Sequence, residues 1–213
     1  MRCLWPLPPN PQANRIDTKF LDPNYPRWRI AMGLPADEHT GIDINLAGTS
    51  GNNDLRYPVV AVLSGIVKHA GAHRVWGNIV LIEHPPHIAS LYNLPYLATQ
   101  YAHLNDIVVR EGQVVFAGEP VGTVGRGDPT RPFLAHLHFE MRVKPLPADN
   151  WPGADRKAIE DGYIDPARFL TQHSQYDHRY LYPSARLLND PSQKGFVFNL
   201  EDLYTAFVRS KLV

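Results

Sequence analysis

The sequence predicts an all-β core of antiparallel strands, with long loops and a few short helices mostly near the C-terminus. Three observations carry that reading. Between residues 57 and 142, short runs rich in β-branched and aliphatic residues recur, closed by glycine-containing turns. Few helical patterns separate these runs, which argues against the crossover helices of a parallel sheet. Apolar residues take up helical spacing only towards the end of the chain.

Each element follows in order. Seven of the 20 prolines fall within the first 35 residues, so residues 1–38 are expected to form an arm of loops and turns. Residues 39–44 combine a glycine with β-branched residues, which reads as a turn entering a strand. Residues 47–54 read as an extended loop. Residues 59–68 form a strand pattern interrupted at Ser64-Gly65. Residues 77–84 and 98–104 are the next strands. Shorter ones at 107–110, 114–116 and 120–125 are punctuated by Gly112, Gly118, Gly122 and Gly125, and residues 135–142 form the last clear strand. A proline-rich stretch at 144–152 is expected to be irregular. Residues 154–161 read as a short helix, and Pro166 opens another. Asn199 is a suitable N-cap for a final helix over 200–212, whose Leu200, Leu203, Tyr204, Phe207 and Val208 share one face. The expected organisation is one domain over residues 1–171 with a proline-rich arm. An extension over 172–213 is expected to pack its final helix on that domain.

Composition excludes several classes. The 213 residues are 44% hydrophobic and 20% charged, a globular composition. The 21 basic residues balance 21 acidic ones, which gives no basic face for nucleic acid. The longest aliphatic run, residues 59–63, falls far short of the ~20 residues of a membrane-spanning helix. Cys3 is the sole cysteine, so neither an intramolecular disulfide nor a cysteine-rich metal site is available. The first nine residues carry one positive charge and no apolar stretch, so no secretory signal is expected there. Phage-type delivery through permeabilised membranes, or prior removal of a leader, would both fit.

The ten histidines are not randomly spaced. Side chains alternate along a strand, so in Ala135-His136-Leu137-His138-Phe139-Glu140-Met141 the residues His136, His138 and Glu140 share one face. Ala135, Leu137, Phe139 and Met141 share the apolar other face. The two imidazoles lie about 7 Å apart along the strand, at ~3.3 Å rise per residue. They can serve one small site together, or one can bind a metal while the other faces substrate. Far upstream, His39 and Asp43 place an imidazole and a carboxylate four residues apart. Catalytic zinc takes three nitrogen or oxygen ligands plus water, and two ligands from one segment with a third from a distant strand would assemble that set. His103, at the end of a strand, is a further candidate. Alternating histidines on a half-exposed strand are also compatible with plain polar surface.

Taken together, these segments resemble the zinc endopeptidases of the lysostaphin and LytM type, which cut peptide cross-links in bacterial peptidoglycan. The resemblance runs in order through Trp5-Pro6-Leu7-Pro8, His39-Thr40-Gly41-Ile42-Asp43 (H-x-G-x-D), residues 59–67, Gly77-Asn78-Ile79-Val80-Leu81, and Tyr101-Ala102-His103-Leu104. It continues through the glycine-rich residues 111–125, His136-Leu137-His138 (H-x-H) and Ile164-Asp165-Pro166. It covers about residues 4–171, and it implies an antiparallel sheet or sandwich with a groove holding the metal. It also implies one zinc ion per chain held by His39, Asp43 and His138, with His103 and His136 as unliganded catalytic histidines and a peptidoglycan peptide as substrate. Activity at the cell wall, in the periplasm or outside the cell would follow.

The chain departs from that pattern in three loops: residues 47–54, 85–100 and 126–133. These loops border the expected groove and bear on substrate preference. His84 ends a strand near the site and Glu140 shares the ligands' face, so both are candidates to orient a ligand. A structural role for His84 and an ion pair of Glu140 with Arg142 are the alternatives. His69, His73, His87, His173 and His178 read as surface residues. Two competing functions remain. A catalytically inactive scaffold that activates a partner hydrolase would usually lack metal ligands, whereas all three candidates are present. A lipoyl-type carrier needs a lysine at a hairpin tip, and residues 107–131 contain none.

Overall fold

Strand β6 (Ala98–Ile107) lies at the centre of the sheet, and at most two strands separate it from any other strand of the described residues. The computed structural model describes residues 3–8, 14–73, 76–128 and 132–174. On one edge β6 pairs with β9 (Leu137–Arg142), and beyond β9 lie β2 (Ile42–Leu46) and β1 (Asn14–Thr18). On the other edge it pairs with β5 (Gly77–Glu83), followed by β4 (Gly65–His73) and β7 (Val114–Val115). β3 (Pro58–Val60) pairs with β8 (Pro120–Val124), which returns to β6, and β10 (Tyr163–Ile164) adds to β9. The ten strands of the described residues all pair antiparallel, as the glycine-punctuated pattern predicts.

Alternation decides which residues build the core. Leu137, Phe139 and Met141 of β9 face Ile42 and Ile44 of β2 and Tyr101 of β6, all fully buried. Register places Phe139 opposite both Ile42 and Tyr101, and the Tyr101 and Phe139 rings lie 5.2 Å apart. Each such side chain contributes about 1.5–3 kcal/mol on burial. The Tyr101 hydroxyl does not go unpaired: it accepts the Val62 N–H at 2.8 Å and the Thr99 hydroxyl at 3.3 Å.

Several expectations need correction. Residues 1–38 are not wholly irregular, since they contain β1 and helix α1 (Tyr25–Ala31). β1 has no apolar alternation, and its strand form comes from the ladder that β2 offers it. Residues 107–110 form no strand of their own, because β6 runs on to Ile107. The 59–68 pattern divides into β3 and β4. The long 85–100 segment contains α2 (Pro86–Ser90). The helix expected at 154–161 is α3 (Arg156–Gly162), capped by the Asp155 carboxylate on the Ala158 N–H at 3.0 Å. α4 (Pro166–His173) is capped by Asp165 and runs past residue 171, with Cys3 N–H donating to the His173 carbonyl at 3.2 Å. The helix expected over 200–212 lies outside the described residues.

Candidate active site

β2 and β9 bring the upstream and downstream motifs together. Their register sets Asp43 directly opposite His138. His39 arrives from the segment just before β2, where its carbonyl accepts the Leu21 N–H at 2.9 Å. Gly41 lets this segment lie flat on β9: a Cβ there would come 2.3 Å from the Phe139 carbonyl oxygen. His39 Nε2 then lies 3.1 Å from Asp43 Oδ1, His138 Nδ1 lies 3.0 Å from the same oxygen, and the two nitrogens are 3.1 Å apart.

The outer hydrogen bonds fix what these three atoms present. Carbonyls and carboxylates only accept, so His39 Nδ1–H donates to the Lys19 carbonyl at 2.8 Å and His138 Nε2–H donates to Glu140 Oε1 at 3.2 Å. The inner nitrogens therefore turn lone pairs towards Asp43. Three acceptors this close demand a positive charge between them, either a proton or a metal ion. The edges of 3.0–3.1 Å are a few tenths of an ångström tighter than those of a tetrahedral ion with bonds of about 2.0–2.1 Å, so a small outward shift of the three atoms would admit one ion. The donor set, two imidazoles and one carboxylate, suits zinc.

Two more imidazoles border this triangle. His136 Nδ1–H donates to the Leu134 carbonyl at 2.7 Å, and its Nε2 lies 3.7 Å from Asp43 Oδ1. His103 Nδ1–H donates to the Trp76 carbonyl at 3.0 Å, and its ring lies 4.8 Å from that of His136 and 5.6 Å from that of His138. Simple alternation along β6 would send residue 103 to the core side with Tyr101. A break in register between β6 and its neighbours prevents this, and His103 takes the left-handed conformation, φ 64°. The irregularity turns the imidazole towards the site.

Electrostatics follow from burial and neighbours. Burial opposes the charge on Asp43, yet His39, His136 and His138 hold its carboxyl well below the usual range. Burial would lower His138, but hydrogen bonds to Asp43 and Glu140 lift it to about 9. His103 is pushed well below the ordinary value by burial and by the imidazoles of His136 and His138, and it stays neutral.

Glu140 lies beneath His138, fully buried. It accepts from Thr40 Oγ1 and from Arg142, whose Nε and Nη2 reach Oε2 at 3.0 and 2.8 Å. Glu140 thus touches both His138 and Arg142. Arg142 also donates to the carbonyls of Leu146 and Pro147, which ties the 144–151 segment to the sheet. His84 is not part of this group. Its ring nitrogens are taken by the Ser64 carbonyl and Thr99 Oγ1, at 3.0 and 3.1 Å.

The walls of the site come from residues outside the two histidine motifs. The Tyr25 ring lies 4.5 Å from that of His39, and the Trp76 ring lies 5.4 Å from that of His138 and 5.3 Å from that of Trp151. Arg29, paired with Asp37, lies over both Tyr25 and Trp151. Phe133 packs on His103 at 5.0 Å. The usable signal was aromatic residues in segments of no periodicity next to the motifs.

The model of peptidase family M23 matches residues 37–150, which include every side chain of this cluster except Tyr25, Arg29 and Trp151. The chain belongs to peptidase family M23. M23 peptidases are zinc metallopeptidases, and the His39–Asp43–His138 group is where this member could hold the ion. Among curated M23-like relatives, the murein hydrolase activator NlpD of Salmonella dublin is 34% identical over 123 residues, covering 55% of this chain and 28% of that protein. The peptidoglycan DD-endopeptidase ShyB of Vibrio cholerae is 31% identical over 154 residues, covering 70% of this chain and 33% of that protein. The chain thus spans about a third or less of these relatives' lengths. A zinc-containing peptidase from Vibrio cholerae shares the fold with a TM-score of 0.50 and 26% identity, over 70% of this chain and 40% of that one.

Proposed function

We propose that this M23 member is a zinc-dependent endopeptidase that hydrolyses peptide bonds in bacterial peptidoglycan, at stem-peptide cross-links or bridges. The observation that carries the reading is the triangle of lone pairs from His39, Asp43 and His138, bordered by two further imidazoles that are not part of it. In this reading those three residues hold zinc and His103 and His136 are catalytic. Zinc held there would supply a Lewis acid for the scissile carbonyl and would lower the pKa of a bound water towards ~7.

The chain's own groups do the rest. His136 Nε2 is an acceptor, its other nitrogen being committed to Leu134, so it takes a proton from water. His103 Nε2 presents a second acceptor 4.8 Å away, ring to ring. Two imidazolium ions at that distance repel, so only one nitrogen of the pair takes the proton at a time. Once protonated, that nitrogen donates to the developing oxyanion or to the leaving amine. Glu140 fixes the tautomer of His138, and Tyr25, Trp76, Trp151 and Phe133 exclude water around the reacting groups.

A second reading is a scaffold that activates a partner hydrolase, favoured by the 34% identity to a murein hydrolase activator. Such a scaffold needs neither lone-pair triangle nor accepting histidines. Under either reading the chain acts at the cell wall. The decisive experiment is digestion of purified peptidoglycan with and without a zinc chelator, read by mass spectrometry. Chelator-sensitive release of peptide-cleavage products supports the endopeptidase. Zinc binding without any cleavage, together with stimulation of a partner hydrolase, would replace it with the scaffold.

A further inference from the structure

A cavity of about 850 Å³ opens next to the residue that follows His103 in the chain, Leu104, and is lined by none of the three residues of the lone-pair triangle. Its walls are the end of the β4–β5 hairpin, including Gly77 and Asn78, and the loop carrying Arg126 and Gly127, with Leu104 between them. This loop is one of the three in which the sequence departs from its family's pattern. Gly127 both lines the cavity and lies against the imidazole: a Cβ on it would come 3.1 Å from His103 Nδ1 and 2.5 Å from the Phe133 ring. The cavity and the catalytic pair are therefore neighbours one residue apart.

The wall's polar groups are mostly committed. Asn78 Nδ2–H donates to the Asn105 carbonyl at 2.9 Å, and Asn105 Nδ2–H donates to Asp106 at 2.8 Å. Asp128 has an interaction of its own. Arg126 differs. Its Nε–H donates to the Phe133 carbonyl at 2.8 Å while its carbonyl accepts the Phe133 N–H at 2.8 Å, so the guanidinium is clamped at its base. Among the described residues no carboxylate pairs with it and no hydrogen bond is made by its two terminal nitrogens, so they form a fork held at its base. A fork of that kind matches a carboxylate bidentately. Leu55, Ala72, Leu104 and Pro132 add apolar wall for a short aliphatic chain.

We propose that this cavity is a carboxylate subsite: Arg126 receives a free carboxylate of a small aliphatic residue next to the bond that is cut. The proposal rests on the endopeptidase reading and names which peptides it favours. The clamp through Phe133, whose ring packs on His103 at 5.0 Å, also ties occupancy of the fork to the position of that imidazole.

The test uses the full chain and one cross-linked muropeptide in two forms, with its carboxylates free or amidated. Binding to zinc-depleted protein is measured by calorimetry and cleavage by the zinc-loaded protein is measured by mass spectrometry, for wild type, Arg126→Gln and Arg126→Lys. Wild type is expected to favour the free acid by roughly ten- to hundredfold, as a charge-assisted pair provides. Arg126→Gln should erase that preference, and Arg126→Lys should restore part of it. Equal handling of both forms by wild type overturns the subsite while leaving the endopeptidase intact. Loss of both forms in Arg126→Gln also overturns it, because the arginine would then only hold the loop. Arg126-dependent binding of the free acid without cleavage supports the subsite and removes the endopeptidase reading instead. Neither binding nor cleavage overturns both.

Discussion

The carbonyl oxygen of His103 occupies space that only a glycine at position 125 leaves open: a Cβ on Gly125 would come 2.2 Å from it and 2.4 Å from the Asn105 N atom. Gly125 also accepts the His136 N–H, at 3.3 Å, so it touches the backbone of both candidate catalytic histidines. Gly125→Ala must push against main chain on either side. A shift of about 1 Å at a reacting group costs on the order of a hundredfold in rate. The variant is expected to retain zinc and to lose peptidoglycan cleavage by about that factor. Wild-type turnover, measured by fragment release, would show that His103 does not need its present aim.

The bond from His138 to Glu140 predicts a separation of metal affinity from folding. Glu140→Gln weakens the acceptor for Nε2–H and should lower zinc affinity by about 10- to 100-fold in chelator competition. It also leaves Arg142 buried without its anion, which is expected to cost about 3–5 kcal/mol in urea melts. Thr40→Val, near in volume, removes one donor to the same carboxylate and keeps the ion pair. It should weaken zinc binding by a few fold with little loss of stability. Unchanged zinc affinity in both variants would make this network purely structural.

Zinc must displace the proton on His138, and this sets a pH dependence. With the histidine raised to about 9, its folded form is charged at neutral pH. Sign follows directly: metal affinity should rise by about tenfold per pH unit from 7 towards 9 and then level off. Calorimetry in buffers of different ionisation enthalpy should find about one proton released per zinc at pH 7. A pH-independent affinity over that range would place the proton elsewhere. For the chain without zinc, the same charged histidine stabilises the fold fully below pH 6.5, and that contribution is lost as pH rises through about 9.

His84 gives the opposite linkage, away from the site. Burial holds it neutral and lowers it to about 4, against 6.5 in the unfolded chain. Stability should therefore be constant above pH 6.5 and fall as pH drops towards 4, by about 3 kcal/mol in all. His84→Gln removes the titrating group, so its loss of stability between pH 7 and pH 4.5 should be smaller by about 2–3 kcal/mol, whatever its stability at pH 7. An equal acid loss in both proteins would assign the effect to other groups.

The N-terminal wall supplies a prediction about substrate. Arg29, over Tyr25 and Trp151 and paired with Asp37, holds that wall beside His39. Arg29→Ala should raise KM for muropeptides several-fold with a smaller change in kcat, because the wall binds substrate and transition state alike. A fall in kcat at constant KM would place Arg29 in the chemistry instead.

The sequence alone determined the antiparallel core and the face of β9 that carries His136, His138 and Glu140, because alternation along a strand is a local rule that leucine and phenylalanine at alternate positions enforce. The convergence of His39 and Asp43 with His138 was readable as a motif pair, though its register is a property of β2 against β9. Other features were not legible. β1 exists because β2 offers it a ladder, and neither β1 nor α1 shows a periodic apolar face. The aim of His103 runs against simple alternation and depends on the break in register and on the bare Cα of Gly125 beside it. Glu140 serves His138 and Arg142 together because the 144–151 segment folds over the sheet and leaves both charges dry. The walls of Tyr25, Trp76, Trp151 and Phe133 come from four separate segments. Local sequence sets which way a side chain points from its own strand, but contacts between distant segments, and the close approach of one backbone to another, are decided only when the whole chain has folded.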